Sequence, residues 1–174
     1  MYKRQETDPV AVRGPLATRY VQQFLRNVAW GDVDFLILDL PPGTGDIQLT
    51  IVQTAELDGV VVVTTPQEVA LIDARKAIGL FERVETPILG IIENMSYFQC
   101  PSDGKIYHIF GEGGGEREAA RLGVPLLGKI PLDISTRSGG DEGRPVALEE
   151  PGQNPVSAAF RQVAEQCARV VLDR

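Results

Sequence analysis

The carboxylate of Asp39 follows an apolar run and precedes a loop rich in proline and glycine. Residues 34–39 read Asp-Phe-Leu-Ile-Leu-Asp, and residues 40–46 read Leu-Pro-Pro-Gly-Thr-Gly-Asp. Such an apolar run is typical of a parallel strand buried on both faces. Because parallel sheets bind ligands at the carboxyl ends of their strands, Asp39 is placed to hold the Mg²⁺ of a nucleotide or its water. The glycines would let the backbone approach a γ-phosphate and change conformation when it leaves.

Asp39 with its glycine-containing loop, and the glycine-rich segment 111–116, could each have a purely structural role instead of binding a ligand. An apolar run followed by Asp usually means that the Asp caps a turn, but the complete heptapeptide favours the ligand-binding interpretation of Asp39. Residues 111–116, Gly-Glu-Gly-Gly-Gly-Glu, form the other glycine-rich helix entry. Their glutamates would repel a triphosphate and no Lys-Ser/Thr follows, so we interpret this segment as a flexible helix lead and not as a phosphate loop.

Apolar runs and helical patterns alternate along the whole chain, which is typical of an α/β protein with a parallel sheet. The runs predict four strands, at residues 34–39, 59–65, 88–92 and 126–130. Apolar side chains at helical spacing predict helices near residues 15–29, 47–57, 69–81, 116–122 and 155–170. The long irregular stretch from Asn94 to Gly115 holds Cys100 and the single histidine, His108, and loops of this length are usually functional.

Composition limits the class of protein. The 174 residues match the size of one domain, so we predict a single domain over residues 1–174 with a polar leader at 1–12. No apolar run is long enough to cross a bilayer, and the net charge of −7 opposes attraction to nucleic acid or an anionic membrane. The polar amino terminus lacks a secretory signal, and two cysteines far apart exclude a disulfide framework. We therefore expect a cytoplasmic protein without nucleic-acid or membrane partners.

Residues 30–46 together, Trp-Gly-Asp-Val-Asp-Phe-Leu-Ile-Leu-Asp-Leu-Pro-Pro-Gly-Thr-Gly-Asp, resemble the signature of the Mrp/ApbC family. These are cytosolic iron–sulfur cluster carriers with a deviant-Walker P-loop ATPase domain, related to MinD, ParA and the nitrogenase iron protein. Further segments resemble family blocks in the family's order: residues 13–15, 64–67 with 73–76, 93–98, 110–115 and 139–143. The resemblance covers roughly residues 13–146. It implies a three-layer, Rossmann-like P-loop NTPase fold, in which helices cover both faces of a parallel sheet.

The resemblance also assigns roles to single residues. Asp39 would be the Walker B acid, and the switch that senses the γ-phosphate would consist of Gly43, Thr44, Gly45 and Asp46. Asn94 resembles an adenine-contacting asparagine, whose amide offers a donor and an acceptor to a purine edge. Pro131 and Asp133 match the second adenine-side segment. Without the resemblance, an asparagine at the end of a strand is more often a turn residue.

The sequence departs from the family where the phosphates would bind. Family members begin their ATPase domain with a Lys-Gly-Gly-Val-Gly-Lys type P-loop, whose amides and lysines neutralise the phosphates. These 174 residues contain no such segment. The resemblance therefore implies a sheet that is incomplete at its P-loop strand and a chain that is the carboxyl-terminal portion of an Mrp-type domain. We expect such a chain to hydrolyse ATP poorly or not at all alone, whether it is a truncated product, a split gene product or a shortened chain.

A second departure concerns metal. The family carries Cys-x-x-Cys in the long loop, and two such pairs, one from each protomer, hold a [4Fe–4S] cluster across a dimer. Here the motif reads Cys100-Pro-Ser-Asp103, so a carboxylate, which is a harder ligand, replaces one thiolate. Cys100 could still bind the cluster with help from Asp103 or His108, or the cluster could be weakened, labile or absent. A lone histidine such as His108 is more often structural than a ligand.

Three functions are compatible with these features of the sequence. The first is an iron–sulfur carrier that binds ATP with Mg²⁺, forms a homodimer and delivers clusters to apo iron–sulfur client proteins. The second is a non-catalytic nucleotide-domain remnant that acts by dimerisation or by fold complementation with a separate P-loop-containing segment. The third is a MinD/ParA-like positioning ATPase. The last helix mixes Arg161, Glu165, Arg169 and Asp173 without a basic face, which disfavours the third function.

Overall fold

The structure is a computed structural model that describes residues 14–41, 43, 45–150, 152 and 154–173. These residues fall into two compact units, Met1–Glu56 and Leu57–Arg174. The expectation of a single domain over residues 1–174 stays a prediction.

The described residues of the first unit include two helices that pack against each other. They are α1 (Gly14–Asn27) and α2 (Asp46–Thr54). Both were predicted from apolar residues at helical spacing, and both are confirmed. Leu16, Tyr20 and Phe24 nevertheless remain between 42% and 60% exposed on α1. The apolar face of α1 is therefore only partly covered.

Residues 34–39, which the sequence predicts to be a strand, are irregular in the structure. Ile37 is 88% exposed, and Phe35 and Leu36 are 45% exposed. A strand is stabilised by hydrogen bonds to a neighbouring strand, and the described residues of the first unit include no strand. The strand prediction is therefore wrong for this segment. The apolar pattern of residues 34–39 is typical of a buried strand, but the described residues of the first unit do not bury this segment.

A three-stranded parallel sheet organises the second unit. Its order is β1-β2-β5, with β1 at Val60–Thr64, β2 at Ile88–Glu93 and β5 at Leu126–Lys129. Thr64 pairs with Glu93, and Glu93 pairs with Lys129. The carboxyl ends of the three strands consequently lie side by side. All three strands were predicted from their β-branched and apolar runs, and the structure confirms them.

Four helices complete the second unit: α3 (Glu68–Arg83), α4 (Gly114–Leu122), α5 (Ile134–Asp141) and α6 (Pro155–Leu172), with a short 3₁₀ turn at Val146–Leu148. Helices α3 and α4 contribute Ile78 and Ala119 to a core that also holds Val62 and Ile91 of the sheet. Helix α6 packs against β2 and β5. The α/β fold class is confirmed, whereas α5 was not predicted. No helix in the described ranges has the length and hydropathy needed to cross a membrane.

The long stretch predicted to be irregular contains a small hairpin. Its strands β3 (Phe98–Gln99) and β4 (Ile106–Tyr107) pair antiparallel, with Phe98 opposite Tyr107. Phe98 also forms a parallel bridge with Leu132, just beyond β5. The hairpin is therefore attached to the carboxyl-terminal edge of the sheet.

We expect the core around Ile91 to dominate the stability of the second unit. Ile91 is 1% exposed, so Ile91→Ala removes buried apolar contacts and leaves a cavity. The free energy of unfolding measured in urea should fall by about 2–5 kcal/mol. The matched control is Ile72→Ala on α3, where the side chain is 43% exposed and the change should stay within about 0.5 kcal/mol. Equal effects of the two substitutions would contradict this assignment of the core.

Candidate functional site

The residues assigned to magnesium and the γ-phosphate lie in the first unit. Asp39 is exposed on the irregular segment that precedes the loop. Gly43 has a φ of 95°, in the region that favours glycine, and extended Gly45 precedes α2 as its N-cap. Asp46 is the first residue of α2, and Thr44 lies outside the described residues. The segment is therefore a turn that leads directly into a helix N-terminus.

Gln48 holds this turn, a role that no pattern in the sequence indicates. Its side chain is 3% exposed. The Nε2 atom donates to the carbonyl oxygen of Pro41 at 2.7 Å and to that of Gly43 at 3.0 Å. Because one buried amide binds two backbone carbonyls, Gln48 fixes the path of the turn onto α2.

The two segments assigned to the adenine side lie next to each other in the second unit. The backbone N–H of Ser96 donates to Ile130 at 2.9 Å, and that of Leu132 donates to Tyr97 at 2.7 Å. Asn94 is half-buried, and its Oδ1 atom accepts from the Met95 N–H at 3.0 Å. The chain after β2 thus runs beside the chain after β5. This arrangement brings the Asn94 segment to the Pro131–Asp133 segment.

Asp133 caps the N-terminus of α5. Its Oδ2 atom accepts from the backbone N–H of Thr136 at 2.8 Å and from the Thr136 hydroxyl at 3.2 Å, and the Ser135 hydroxyl also donates to it. Partial burial acts to raise the pKa of this carboxyl, but the hydrogen bonds from Ser135 and Thr136 together hold the pKa below its usual value. Asp133 therefore has a clear structural role in fixing the segment that follows β5.

Cys100 lies at the turn of the β3–β4 hairpin. Its backbone N–H donates to Lys105 at 2.9 Å, and its carbonyl accepts from Gly104 at 2.8 Å. The Sγ atom lies 3.0 Å from the Ser102 hydroxyl. That hydrogen bond is the largest cause of a lowered pKa for the Cys100 thiol, and the backbone amides of Ser102 and Asp103 add to it. A thiol of lowered pKa is a better nucleophile and metal ligand near neutral pH.

Asp103 lies on the same turn as Cys100, whereas His108 is engaged elsewhere. The backbone N–H of Lys105 donates to the Asp103 carboxylate at 3.0 Å and is the main cause of its lowered pKa. The Nε2 atom of His108 lies 3.6 Å from Glu112 Oε1. Within the described ranges, no group of three or more His, Cys, Asp or Glu residues is placed to hold a metal ion. One chain thus offers Cys100 and Asp103 as an incomplete set of ligands.

The glycine-rich lead to α4 packs tightly against the sheet instead of surrounding an anion. A Cβ on Gly114 would lie 2.6 Å from the carbonyl oxygen of Pro66, and one on Gly115 would lie 3.0 Å from Cβ of Glu93. The carboxylate of Glu93 already accepts the Gly115 N–H at 2.6 Å. Glu93 was missed as a candidate, although it ends an apolar strand as Asp39 ends an apolar run.

A parallel sheet with helices, whose strand ends carry these polar segments, belongs to the P-loop NTPase-like α/β class. A family model described as "ParA: NUBPL iron-transfer P-loop NTPase" matches residues 1–168, and the chain belongs to this family. The resemblance to iron–sulfur cluster carriers is thereby confirmed.

Individual relatives agree with this assignment. An iron–sulfur cluster carrier protein of Pyrococcus horikoshii is 49% identical over 161 residues, which cover 92% of this chain and 54% of the relative. A nucleotide-binding protein of Archaeoglobus fulgidus, solved in complex with ADP, is 43% identical with a TM-score of 0.67 and covers 74% of this chain and 53% of that one. The cell-division ATPase MinD of Pyrococcus furiosus matches with a TM-score of 0.65 at 24% identity. The match covers 88% of this chain and 59% of the MinD chain, and it shows a shared fold only. The chain spans about half the length of the curated relatives it matches.

We expect Asp133→Ala to lower the free energy of unfolding by about 1 kcal/mol at pH 7, because α5 loses its N-cap. The pKa of Asp133 is lowered in the folded state, so its contribution is complete above the unfolded pKa of about 3.9 and is lost as the pH falls through the folded value. The difference between wild type and variant should therefore shrink as urea titrations move from pH 5 towards pH 3.

Asp141→Ala is the control, because Asp141 pairs with Arg137 at the exposed end of the same helix. Its effect should stay within about 0.5 kcal/mol. A difference between wild type and Asp133→Ala that does not change with pH would contradict the role of the Asp133 carboxylate as a cap.

Proposed function

We propose that this chain is part of an iron–sulfur cluster carrier that binds its cluster as cargo through Cys100. One observation carries the proposal: Cys100 is a thiol of lowered pKa at a hairpin turn, and the hairpin follows directly on the Asn94 segment. Cluster iron binds thiolate, and a lowered pKa increases the fraction of Cys100 present as thiolate, which favours loading. The membership of the family supports the same function.

A single chain supplies too few ligands for a cluster, so we propose that two copies share it. Cys100 and Asp103 of each protomer in a homodimer would provide two thiolates and two carboxylates. Carboxylate is a poorer ligand than thiolate for cluster iron, and a [4Fe–4S] cluster held in this way is labile. A labile cluster suits a protein that delivers it to apo client proteins.

We further propose that the Asn94 and Pro131–Asp133 segments form the base side of a nucleotide site. The Oδ1 atom of Asn94 already accepts a hydrogen bond from the Met95 N–H. The Nδ2 amino group of Asn94 would therefore donate to the base. Asp133 caps α5, and its part is to fix the segment beside Asn94. For the first unit we make a separate proposal: the exposed carboxylate of Asp39 fits one oxygen ligand of a Mg²⁺ ion, and water would complete the shell.

Anaerobic reconstitution with iron and sulfide tests cluster carriage. The wild-type chain should develop a broad visible absorbance, and Cys100→Ala should abolish it because the thiolate is lost. Asp103→Cys restores two thiolates in the spacing Cys-x-x-Cys, so the absorbance should decay more slowly when a chelator is added.

Cys167→Ala is the matched control for Cys100→Ala. Cys167 lies on α6, where burial raises the pKa of its thiol, and its removal should leave the absorbance unchanged. A wild-type chain that stays colourless, or a loss of colour equal in both cysteine variants, would refute the proposed role of Cys100.

A second candidate function is fold complementation, favoured by the exposed apolar segment of the first unit. Ile37 is 88% exposed in a run typical of a buried strand. The sequence contains no phosphate-binding P-loop. We propose that a separate P-loop-containing segment pairs with residues 34–39, supplies the phosphate contacts and so completes the site. Under this proposal the isolated chain does not turn over ATP.

ATP turnover by the isolated chain distinguishes fold complementation from an autonomous ATPase. We expect hydrolysis no faster than that of Asp39→Asn, which removes the charge assigned to Mg²⁺. Adding a polypeptide that carries a phosphate-binding loop should create hydrolysis that requires Asp39. Turnover by the isolated wild-type chain that Asp39→Asn abolishes would disprove the complementation proposal and favour an autonomous ATPase.

A further inference from the structure

Glu93 is a fully buried acid whose carboxylate is hydrogen-bonded within the backbone framework of the site. It is 0% exposed at the end of β2. The other buried acid among the described residues, Glu118, instead binds the guanidinium groups of Arg75 and Arg121. Lys129 is the register partner of Glu93, but its ammonium bonds to Glu116 at 2.9 Å. A buried carboxylate is costly unless hydrogen bonds satisfy it, so the donors that surround Glu93 define its role.

The two oxygens of Glu93 bind the two ends of the segment that carries Cys100. Oε1 accepts from the Ser96 hydroxyl, where the segment leaves the sheet. Oε2 accepts from the Gly115 N–H at 2.6 Å, where the segment enters α4. Residues 97–114, including the whole β3–β4 hairpin, lie between these two bonds. One side chain therefore closes the loop at its base.

Three glycines at the N-terminus of α4 allow this closure. Gly113 has a φ of 65°, which lets the chain turn into the helix. Gly114 and Gly115 bring the helix N-terminus against Pro66 and Glu93, at distances where a side chain would clash. The Gly115 N–H belongs to the first turn of α4, where backbone donors have no partner inside the helix. Glu93 supplies that partner.

Glu93 also anchors the segments assigned to the nucleotide. Its carbonyl oxygen accepts the Ile130 N–H at 2.9 Å, and the next residue, Asn94, donates its backbone N–H to Thr64 at 2.7 Å. The backbone of Glu93 and Asn94 thus fixes the ends of three strands, while the Glu93 side chain fixes the cysteine segment. Glu93 therefore contacts both the segments assigned to the nucleotide and the segment that carries Cys100.

We propose that Glu93 is a positioning residue that holds the Cys100 hairpin in a fixed place beside the Asn94 segment. This inference rests on the proposed carrier function, because that function makes the hairpin the site of the cluster ligand Cys100. Glu93 does not touch the cargo. It acts through Ser96 and Gly115, which set the two ends of the hairpin segment.

Limited trypsin digestion tests whether the hairpin opens when these bonds are lost. Lys105 lies in the hairpin turn with a 72% exposed side chain, and Lys76 lies on α3 with a 64% exposed side chain. Glu93→Met keeps a similar volume but cannot accept the two hydrogen bonds. We expect cleavage after Lys105 to accelerate about tenfold relative to cleavage after Lys76, since a buried donor is left unpaired. The fragment masses identify each site.

Three variants make this test specific. Glu93→Gln can accept from Gly115 and donate to Ser96, so cleavage after Lys105 should stay near the wild-type rate. Glu118→Met removes an equally buried acid that binds neither loop end, and it should not raise the ratio of Lys105 to Lys76 cleavage. Ser96→Ala removes only one bond with little change in volume, and it should raise the ratio by a smaller factor.

An unchanged ratio in Ser96→Ala, or a parallel rise at both lysines in Glu93→Met, would overturn the proposal. The first result would mean that the bond does not restrain the hairpin, and the second that the loss is global unfolding. The digestion needs neither iron nor nucleotide. Failure of the Glu93 proposal is therefore distinguishable from failure of cluster carriage, which the reconstitution measures separately.

Discussion

A carboxylate removed from water must find hydrogen-bond donors inside the protein, and in this fold those donors come from two distant points of the chain. The Ser96 hydroxyl and the Gly115 N–H both bind Glu93. Because both donors must reach one side chain, the segment between them leaves and rejoins the sheet at the same place. The glycine-rich lead, the start of α4 and the base of the hairpin follow from this requirement. The strand end that carries Glu93 is also the point where β1, β2 and β5 lie side by side.

This geometry relates the two halves of the proposed function within the second unit. Asn94 and Asp133 follow the ends of β2 and β5, and the hairpin with Cys100 emerges from the same edge. Hydrogen bonds between the chain after β2 and the chain after β5 keep the two segments in register. The half-buried Cys100 lies on this short hairpin, whose base is bridged to Leu132 at the edge of the sheet. In the first unit, Gln48 fixes the turn that leads into α2.

Much of the second unit could be predicted from the sequence, because its strands form backbone hydrogen bonds with one another. The Val60–Thr64 and Ile88–Glu93 runs predict buried parallel strands and become them. Residues 34–39 carry an equally clear pattern and remain irregular, since a strand also requires a neighbour that local sequence does not reveal. The hairpin around Cys100 is too short to produce an alternating pattern. Glu93 carried the same signal as Asp39, an acid at the end of an apolar run, but the Gly115 donor that explains it is distant in sequence.

Hydrogen exchange at one amide reports whether the Glu93 carboxylate binds the first turn of α4. The Gly115 N–H has no acceptor inside its own helix, and its hydrogen-bond acceptor is the Glu93 carboxylate. Measured by NMR on the full chain, its exchange should be slowed to a degree comparable with the Ile91 amide of β2, which is bonded to Pro125 at 3.0 Å. Exchange of the Gly115 amide at the rate of an unprotected peptide would show that the Glu93 carboxylate does not hold the first turn of α4.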